Sequence, residues 1–229
     1  MEVLEAAATV FMDRGFTATS VDDIAEVLGA TKGRIYHYYR SKADIFLDLL
    51  NLAMTDLLER IRPIAARTDL LPSERLRAAA RMHALVMMTQ SARSRVAVQA
   101  TEMLLMQDVG AKQRAALEEF VRMRDEYEQC YAAMVEEGIA KGEFRAMPPR
   151  LAAKPVLGAL NWINMWFRPR EGQQAQGDPV VESIADQFAD FVVAGLAVPP
   201  PPEQATLGDA VAAPVELLAR RAGRAGRTD

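Results

Sequence analysis

Apolar residues recur at intervals of three and four along almost the whole chain, and strict alternation is scarce, so the pattern predicts helices throughout. Val3, Leu4, Ala7, Ala8 and Phe11 form one stripe, which Gly15 ends. Ser20, with Asp23 three residues on, has capping-box spacing for a short helix that turns Val21, Ile24, Ala25 and Leu28 inward before Gly29. Thr31 opens a third short helix running to about Tyr39. Ser41, followed by Asp44, opens a fourth whose inner positions are Ile45, Phe46, Leu49, Leu50, Ala53 and Leu57 and which stops before Pro63.

The remainder reads as longer helices. Pro72 starts one with Leu76, Ala80, His83 and Met87 inward, and another spans 93–107. A long helix over 112–140 turns Leu117, Phe120, Val121, Tyr127, Tyr131, Met134 and Val135 inward. A Trp-rich helix ends at Pro169 and contains Pro155, which either kinks it or marks its first turn. After a Gly/Gln loop, the last helix, 180–196, places Val181, Ile184, Phe188, Phe191, Val192 and Leu196 on one side. Residues 199–202 are four consecutive prolines, and the Ala/Gly/Arg-rich segment they begin is too polar and small to pay for ordering, so 198–229 is expected to be disordered. The expected fold class is all-α. A three-helix N-terminal domain (1–46, with the start of a connecting helix) precedes a larger helical domain (47–197).

Composition narrows the function. The chain has 229 residues, half of them hydrophobic, with no run long enough for a membrane span and no signal-peptide pattern at its start. Its single cysteine, Cys130, has no internal partner, which fits a reducing cytoplasm. Two histidines and one cysteine make no metal set with recognisable spacing, and neither a Gly-rich phosphate loop nor a Gly-x-Ser-x-Gly nucleophile motif occurs, so no cofactor and no enzymatic activity are expected. A formal charge of −4 argues against a broadly basic nucleic-acid surface.

One stretch overrides that average. Residues 31–42 hold Lys32, Arg34, Arg40 and Lys42 and no acid, interleaved with Tyr36, His37 and Tyr38. A capped helix, a turn opening on Gly29 and a second short helix make a helix-turn-helix, whose second helix can enter the major groove of double-stranded DNA. The segment from about Val3 to Phe46 resembles the DNA-binding domain of TetR-family transcriptional regulators. It matches that family's pattern at Gly15, Phe16, Thr19, Ser20, Ile24, Ala25, Gly29, Thr31, Gly33, Ile35, Tyr36, Ser41 and Lys42, with Tyr39 where the family usually has Phe. The resemblance implies that Thr19, Thr31, Tyr36, His37, Tyr38 and Lys42 hold the phosphate backbone, that Lys32 and Arg34 reach base edges, and that Gly33 permits close approach. Many relatives carry a basic arm before the first helix. Here the helix begins almost at once, so either the natural start lies upstream or arm contacts are absent.

The resemblance also implies a homodimer formed by the last two helices, with Ile184, Phe188, Phe191 and Val192 as the contact residues. For the effector, the expected site gathers His83, Met87, Met103, Phe120, Trp162, Met165, Trp166 and Arg168. The segment 161–169 resembles the TetR subgroup that controls fatty-acid and sterol-fragment breakdown and is released from DNA by acyl-CoA thioesters. In that reading Trp166 lines the cavity and Arg168 meets a phosphate. Alternatively the tryptophans are core, Arg168 is a cation at a helix C-terminus, and His83 is a satisfied interior histidine. A drug-sensing regulator of an efflux pump is the second functional reading.

Overall fold

The computed structural model describes residues 2–90, 93, 96, 111–168 and 177–198. Eight helices lie among them, and the first four show how local chemistry sets their ends. Helix α1 (Glu2–Ala18) breaks at Gly15, whose φ of 76° and ψ of 162° are not helical. Helix α2 (Val21–Leu28) starts on the anticipated capping box: Ser20 Oγ accepts from Asp23 N at 3.2 Å, and the Asp23 carboxylate accepts from Ser20 N at 2.7 Å. The Ser20 hydroxyl, which donates to the same carboxylate at 2.6 Å, together with the Ser20 N–H and with Arg14 at 2.6 Å, holds the Asp23 pKa below its usual value.

Gly29 ends α2 in the left-handed region (φ 64°), where a side chain is strained. Its N–H bonds Glu26 O at 3.0 Å while Ala30 N bonds Ala25 O at 2.9 Å, the paired closure of a Schellman turn. The chain therefore turns within residues 29–31 and enters α3 (Lys32–Tyr38). Helix α4 (Lys42–Ala65) is capped by Ser41, which accepts from Asp44 N. It runs through Pro63 rather than stopping before it, because a proline in the last turn removes one bond from a helix that ends two residues later. The anticipated domain boundary at 46/47 thus lies inside one unbroken helix roughly 36 Å long.

Helices α5 (Pro72–Thr89) and α6 (Ala111–Ala140) pack against α4, α7 (Pro149–Trp166) packs on α5 and α6, and α8 (Pro179–Leu196) packs mainly on α5. The α5/α8 pair is close-packed through small residues, Ala79 and Ala80 on α5 and Ala185 and Ala189 on α8, all fully buried. Arg77 pairs with Asp186 and Asp190, and Arg81 with Glu182 and Asp186, along the rim of that seam. Gly138 is required by packing: a Cβ there would stand 2.2 Å from the ring of Phe144, which folds back over the end of α6. Helix α7 runs through Pro155 from a first turn at Pro149, and it ends at Trp166, short of Pro169. Pro155 faces outward, so the carbonyl it leaves without a donor is on the exposed side. Of the helix expected over 93–107, only Arg93 and Val96 lie among the described residues; Met103, the loop 169–176 and the segment 199–229 lie outside them. No helix among the described residues is long and apolar enough to cross a membrane.

Candidate functional site

Helix α3 has seven residues and only Ile35 is buried, at 0% exposure. Ile35 and the half-buried Tyr39 seat it against α1, α2 and α4, where Phe11, Phe16 and Phe46 stack with ring centroids 4.7–5.6 Å apart. Everything else on α3 faces outward. Tyr36 and Tyr38 are exposed aromatics, and His37 stands edge-on to Tyr38. Such solvent-facing aromatic and cationic side chains on a short helix are what contact with a polyanion requires.

Lys32 and Arg34 project from the N-terminal half of α3, where a helix inserted in the major groove meets base edges. Lys32 Nζ lies 2.6 Å from Asp22, which raises its pKa, and Arg34 lies 3.2 Å from Glu2; all four side chains are at least half exposed. Exposed pairs of this kind are weak and exchange readily for phosphate or base. Thr31, the N-cap, makes no side-chain cap bond. At Gly33 an added Cβ would meet only Thr31 Oγ1, at 4.0 Å. Nothing among the described residues calls for glycine there, although glycine weakens a helix.

Two residues expected on the phosphate backbone are engaged inside the protein. Thr19 is buried, and its hydroxyl donates to Gly15 O at 2.7 Å, bracing the break in α1. The Lys42 ammonium donates to three carbonyls, those of Phe16 (2.6 Å), Thr17 (3.2 Å) and Thr19 (2.6 Å), and sits 4.5 Å from the Phe16 ring centroid. All three N–H bonds are spent, and burial lowers its pKa. Both residues hold the α1–α2 corner on α4 instead of facing outward. Their identity and spacing alone could not separate the two roles.

In the second half, His83 is buried and fully bonded: Nδ1 to Tyr127 Oη at 2.8 Å and Nε2 to Asn161 Oδ1 at 3.1 Å. Burial pushes its pKa down to about 4, so the ring is neutral. Tyr131, 3.4 Å from Tyr127, donates to Ala79 O at 3.1 Å. Burial raises the Tyr127 and Tyr131 hydroxyl pKa values well above the usual. Met87 and Phe120 are buried nearby, and Asn164 Nδ2 donates to Met87 Sδ at 2.9 Å. Asn161 and Asn164 were absent from the expected site. Their three-residue spacing on α7, facing the four-residue spacing of His83 and Met87 on α5, was the signal available.

Trp162, Met165 and Trp166 do not line an interior cavity. They are 60%, 43% and 44% exposed, because α7 turns Leu160, Ile163 and Asn164 inward and these three outward. Trp166 stacks on Phe188 of α8 (centroids 6.0 Å, planes 19° apart), joining the outer faces of the two helices. On α8 the single expected face divides in two. Val181, Ala185, Ala189, Val192 and Leu196 pack inward, whereas Ile184 and Phe188 are half-buried and Phe191 is 69% exposed. Val192 therefore belongs to the chain's own core and not to an outer contact face. Arg168 donates to Phe167 O at 3.0 Å, at the C-terminal end of α7.

A seven-residue, outward-facing cationic helix on a capped corner, joined by one long helix to a helical body with an apolar core and a small buried polar cluster, defines a helix-turn-helix DNA-binding regulator. Comparison with known proteins agrees. Residues 3–49 match the family described as bacterial regulatory proteins, tetR family, and residues 69–196 match the tetracyclin repressor-like C-terminal domain. The chain belongs to the TetR family of bacterial transcriptional regulators. It is 30% identical over 206 residues to the HTH-type transcriptional repressor KstR2 of Rhodococcus jostii, covering 86% of this chain and 91% of that one. Among solved structures it is similar to PfmR of Thermus thermophilus (TM-score 0.70, 28% identity, 86% and 99% covered). It shares the fold of KstR2 of Mycobacterium tuberculosis (TM-score 0.71, 24% identity, 86% and 94% covered).

Proposed function

We propose that the protein is a dimeric repressor that binds a pseudo-palindromic operator through α3 and is released by a hydrophobic effector, an acyl-CoA thioester of lipid catabolism. The observation that carries the DNA half is α3 itself, outward-facing at every position but Ile35, with a glycine at position 33 that no internal contact needs. Repression is supported by the full-length similarity to KstR2 of Rhodococcus jostii, which is named a repressor. The operator-facing residues are Thr31, Lys32, Gly33, Arg34, Tyr36, His37 and Tyr38.

The dimer is supported by the outer faces of α7 and α8. Trp162, Met165, Trp166, Phe188 and Phe191 form an apolar patch continuous through the Trp166–Phe188 stack, and patches of this kind on a soluble chain mark interfaces. A second copy related by a two-fold axis buries the patch on both chains and sets two copies of α3 side by side. The effector class rests on the resemblance of residues 161–169 to the acyl-CoA-responsive subgroup. The fold is compatible with it: AibR, which shares the fold (TM-score 0.66, 24% identity, 86% and 97% covered), is solved with isovaleryl coenzyme A and operator DNA. Effector and operator are then coupled through their unequal affinities for two orientations of the paired domains.

Mobility shift with the full chain and DNA from its own promoter region tests this. A specific complex is expected, weakening steeply as salt rises and dissolving on addition of decanoyl-CoA. Release by a cationic dye with no response to decanoyl-CoA or decanoic acid overturns the effector class, and failure to bind any promoter fragment overturns the whole.

A further inference from the structure

Helices α5 and α7 face each other through two polar rungs one helical turn apart, His83 with Asn161 and Met87 with Asn164. The first is complete. His83 Nε2–H serves Asn161 Oδ1, the Tyr127 hydroxyl serves His83 Nδ1, and the Tyr131 hydroxyl serves Ala79 O. The second is half empty. Asn164 is 2% exposed, its amide nitrogen faces Met87 Sδ at 2.9 Å, and its Oδ1 is buried without a hydrogen-bond partner. Thioether sulfur only accepts, which fixes the orientation of the amide: a flip would set oxygen against sulfur. The orphan is therefore an acceptor, and the His83, Tyr127 and Tyr131 donors of the neighbouring rung are already used. A buried acceptor left unpaired costs stability that an apolar isostere would not, and an orphan of this kind in a core calls for an explanation.

We infer that the α5–α7 seam at Met87 and Asn164 receives a hydrogen-bond donor, a hydroxyl or amide N–H, carried on an otherwise apolar effector. The inference deepens the effector-release reading and rests on it for its regulatory consequence. Asn164 is the specificity-determining group. A neutral donor suits the site: among the described residues no charged side chain is bonded to the Asn164 side chain, and the nearby Arg168 guanidinium donates to the backbone oxygens of Asn164 and Phe167. The His83 ring is uncharged, its pKa pushed down to about 4 by burial. Such a site discriminates strongly, since a ligand lacking the donor leaves the buried oxygen unpaired.

The test compares the wild-type chain with Asn164→Leu, which keeps the branched four-heavy-atom shape and removes the orphan, using two matched probe pairs. One pair is 3-hydroxydecanoyl-CoA and decanoyl-CoA; the other is 1-decanol and methyl nonanoate. Thermal shift and operator release are read for each. The donor-bearing member of each pair is expected to act at about ten-fold lower concentration on the wild type, the factor of one hydrogen bond to an otherwise unpaired buried group. Asn164→Leu is expected to melt higher than wild type without ligand and to lose that discrimination. If both thioesters leave operator binding untouched while decanol still outperforms the ester and Asn164→Leu abolishes the difference, the thioester reading falls and the donor site stands. Equal discrimination in wild type and Asn164→Leu, or none in either, overturns the donor site whatever the thioesters do. A melting temperature that falls in Asn164→Leu, with discrimination intact, assigns Oδ1 to a structural water and overturns it as well.

Discussion

The two ends of this chain place their polar groups in opposite ways. Helix α3 buries one residue and exposes cations and aromatics that no internal contact requires, so its polar side chains are available to DNA. The seam of α5, α6 and α7 buries a histidine, two tyrosines and an asparagine among methionines, so its polar side chains answer to each other. An exposed polar surface costs little and can be made from a seven-residue helix on a single anchor. A buried polar set costs desolvation unless nearly every group is paired. The first suits a large charged partner; the second pairs its groups internally and leaves one oxygen, that of Asn164, unpaired.

The largest test of that contrast is Ile35→Ala. The one anchor of α3 is removed, stability should drop by about 2–5 kcal/mol, and operator binding should vanish with it. An unchanged melting curve would show that α3 does not depend on Ile35. His83 probes the other end through pH. Its folded pKa, about 4, lies below the unfolded 6.5, so the unfolded chain binds the proton better. The contribution is whole above pH 6.5 and is lost as pH falls toward 4, on the order of 3 kcal/mol in total. Denaturant midpoints should decline across that window, and His83→Gln should flatten the decline between about pH 4.5 and 6.5, above the range where carboxylates titrate.

Phe191→Glu sharpens the contrast from outside. It alters a side chain that is 69% exposed, so the fold should survive. Sedimentation should show a monomer, with operator affinity lowered by about a hundredfold as the two-site advantage disappears; a dimer that persists would remove the α7–α8 patch from the interface. Lys42→Met separates two roles for one cation. As a clamp on three carbonyls it should cost about 2 kcal/mol of stability and leave the salt dependence of operator binding unaltered. A fall of about one in the slope of log affinity against log salt would return Lys42 to the phosphate backbone. The smallest effect is at Gly33→Ala, where the two halves of the argument have opposite signs. Helix α3 should gain about 0.5–1 kcal/mol while operator affinity falls, and affinity unchanged would show that DNA does not approach that point.

The N-terminal elements were legible because their signals are local. A capping box at Ser20 and Asp23, a left-handed glycine at position 29 and a cap at Ser41 determine where each helix starts and stops without reference to anything distant. Of the residues expected at the groove, the structure exposes Thr31, Lys32, Arg34, Tyr36, His37 and Tyr38. Thr19 and Lys42 bond to carbonyls of the protein instead, and spacing alone cannot separate a threonine or lysine bonded to carbonyls from one bonded to phosphate. In the second half the misreading had one cause. An amphipathic helix states which residues share a face, but on α7 and α8 both faces are apolar, one toward the core and one outward. Tryptophan and methionine at helical spacing fit either.

The sequence by itself determined an all-helical chain, the helix-turn-helix and its cationic reading helix, because caps, turns and short-range periodicity act over a few residues. Only the tertiary structure decided that Trp162, Met165 and Trp166 look outward, that Val192 looks inward, and that Asn164 holds an unpaired oxygen opposite Met87. Each of those facts depends on how a helix is rotated against partners far away in the chain, and rotation is settled by the fit of side chains across the whole core.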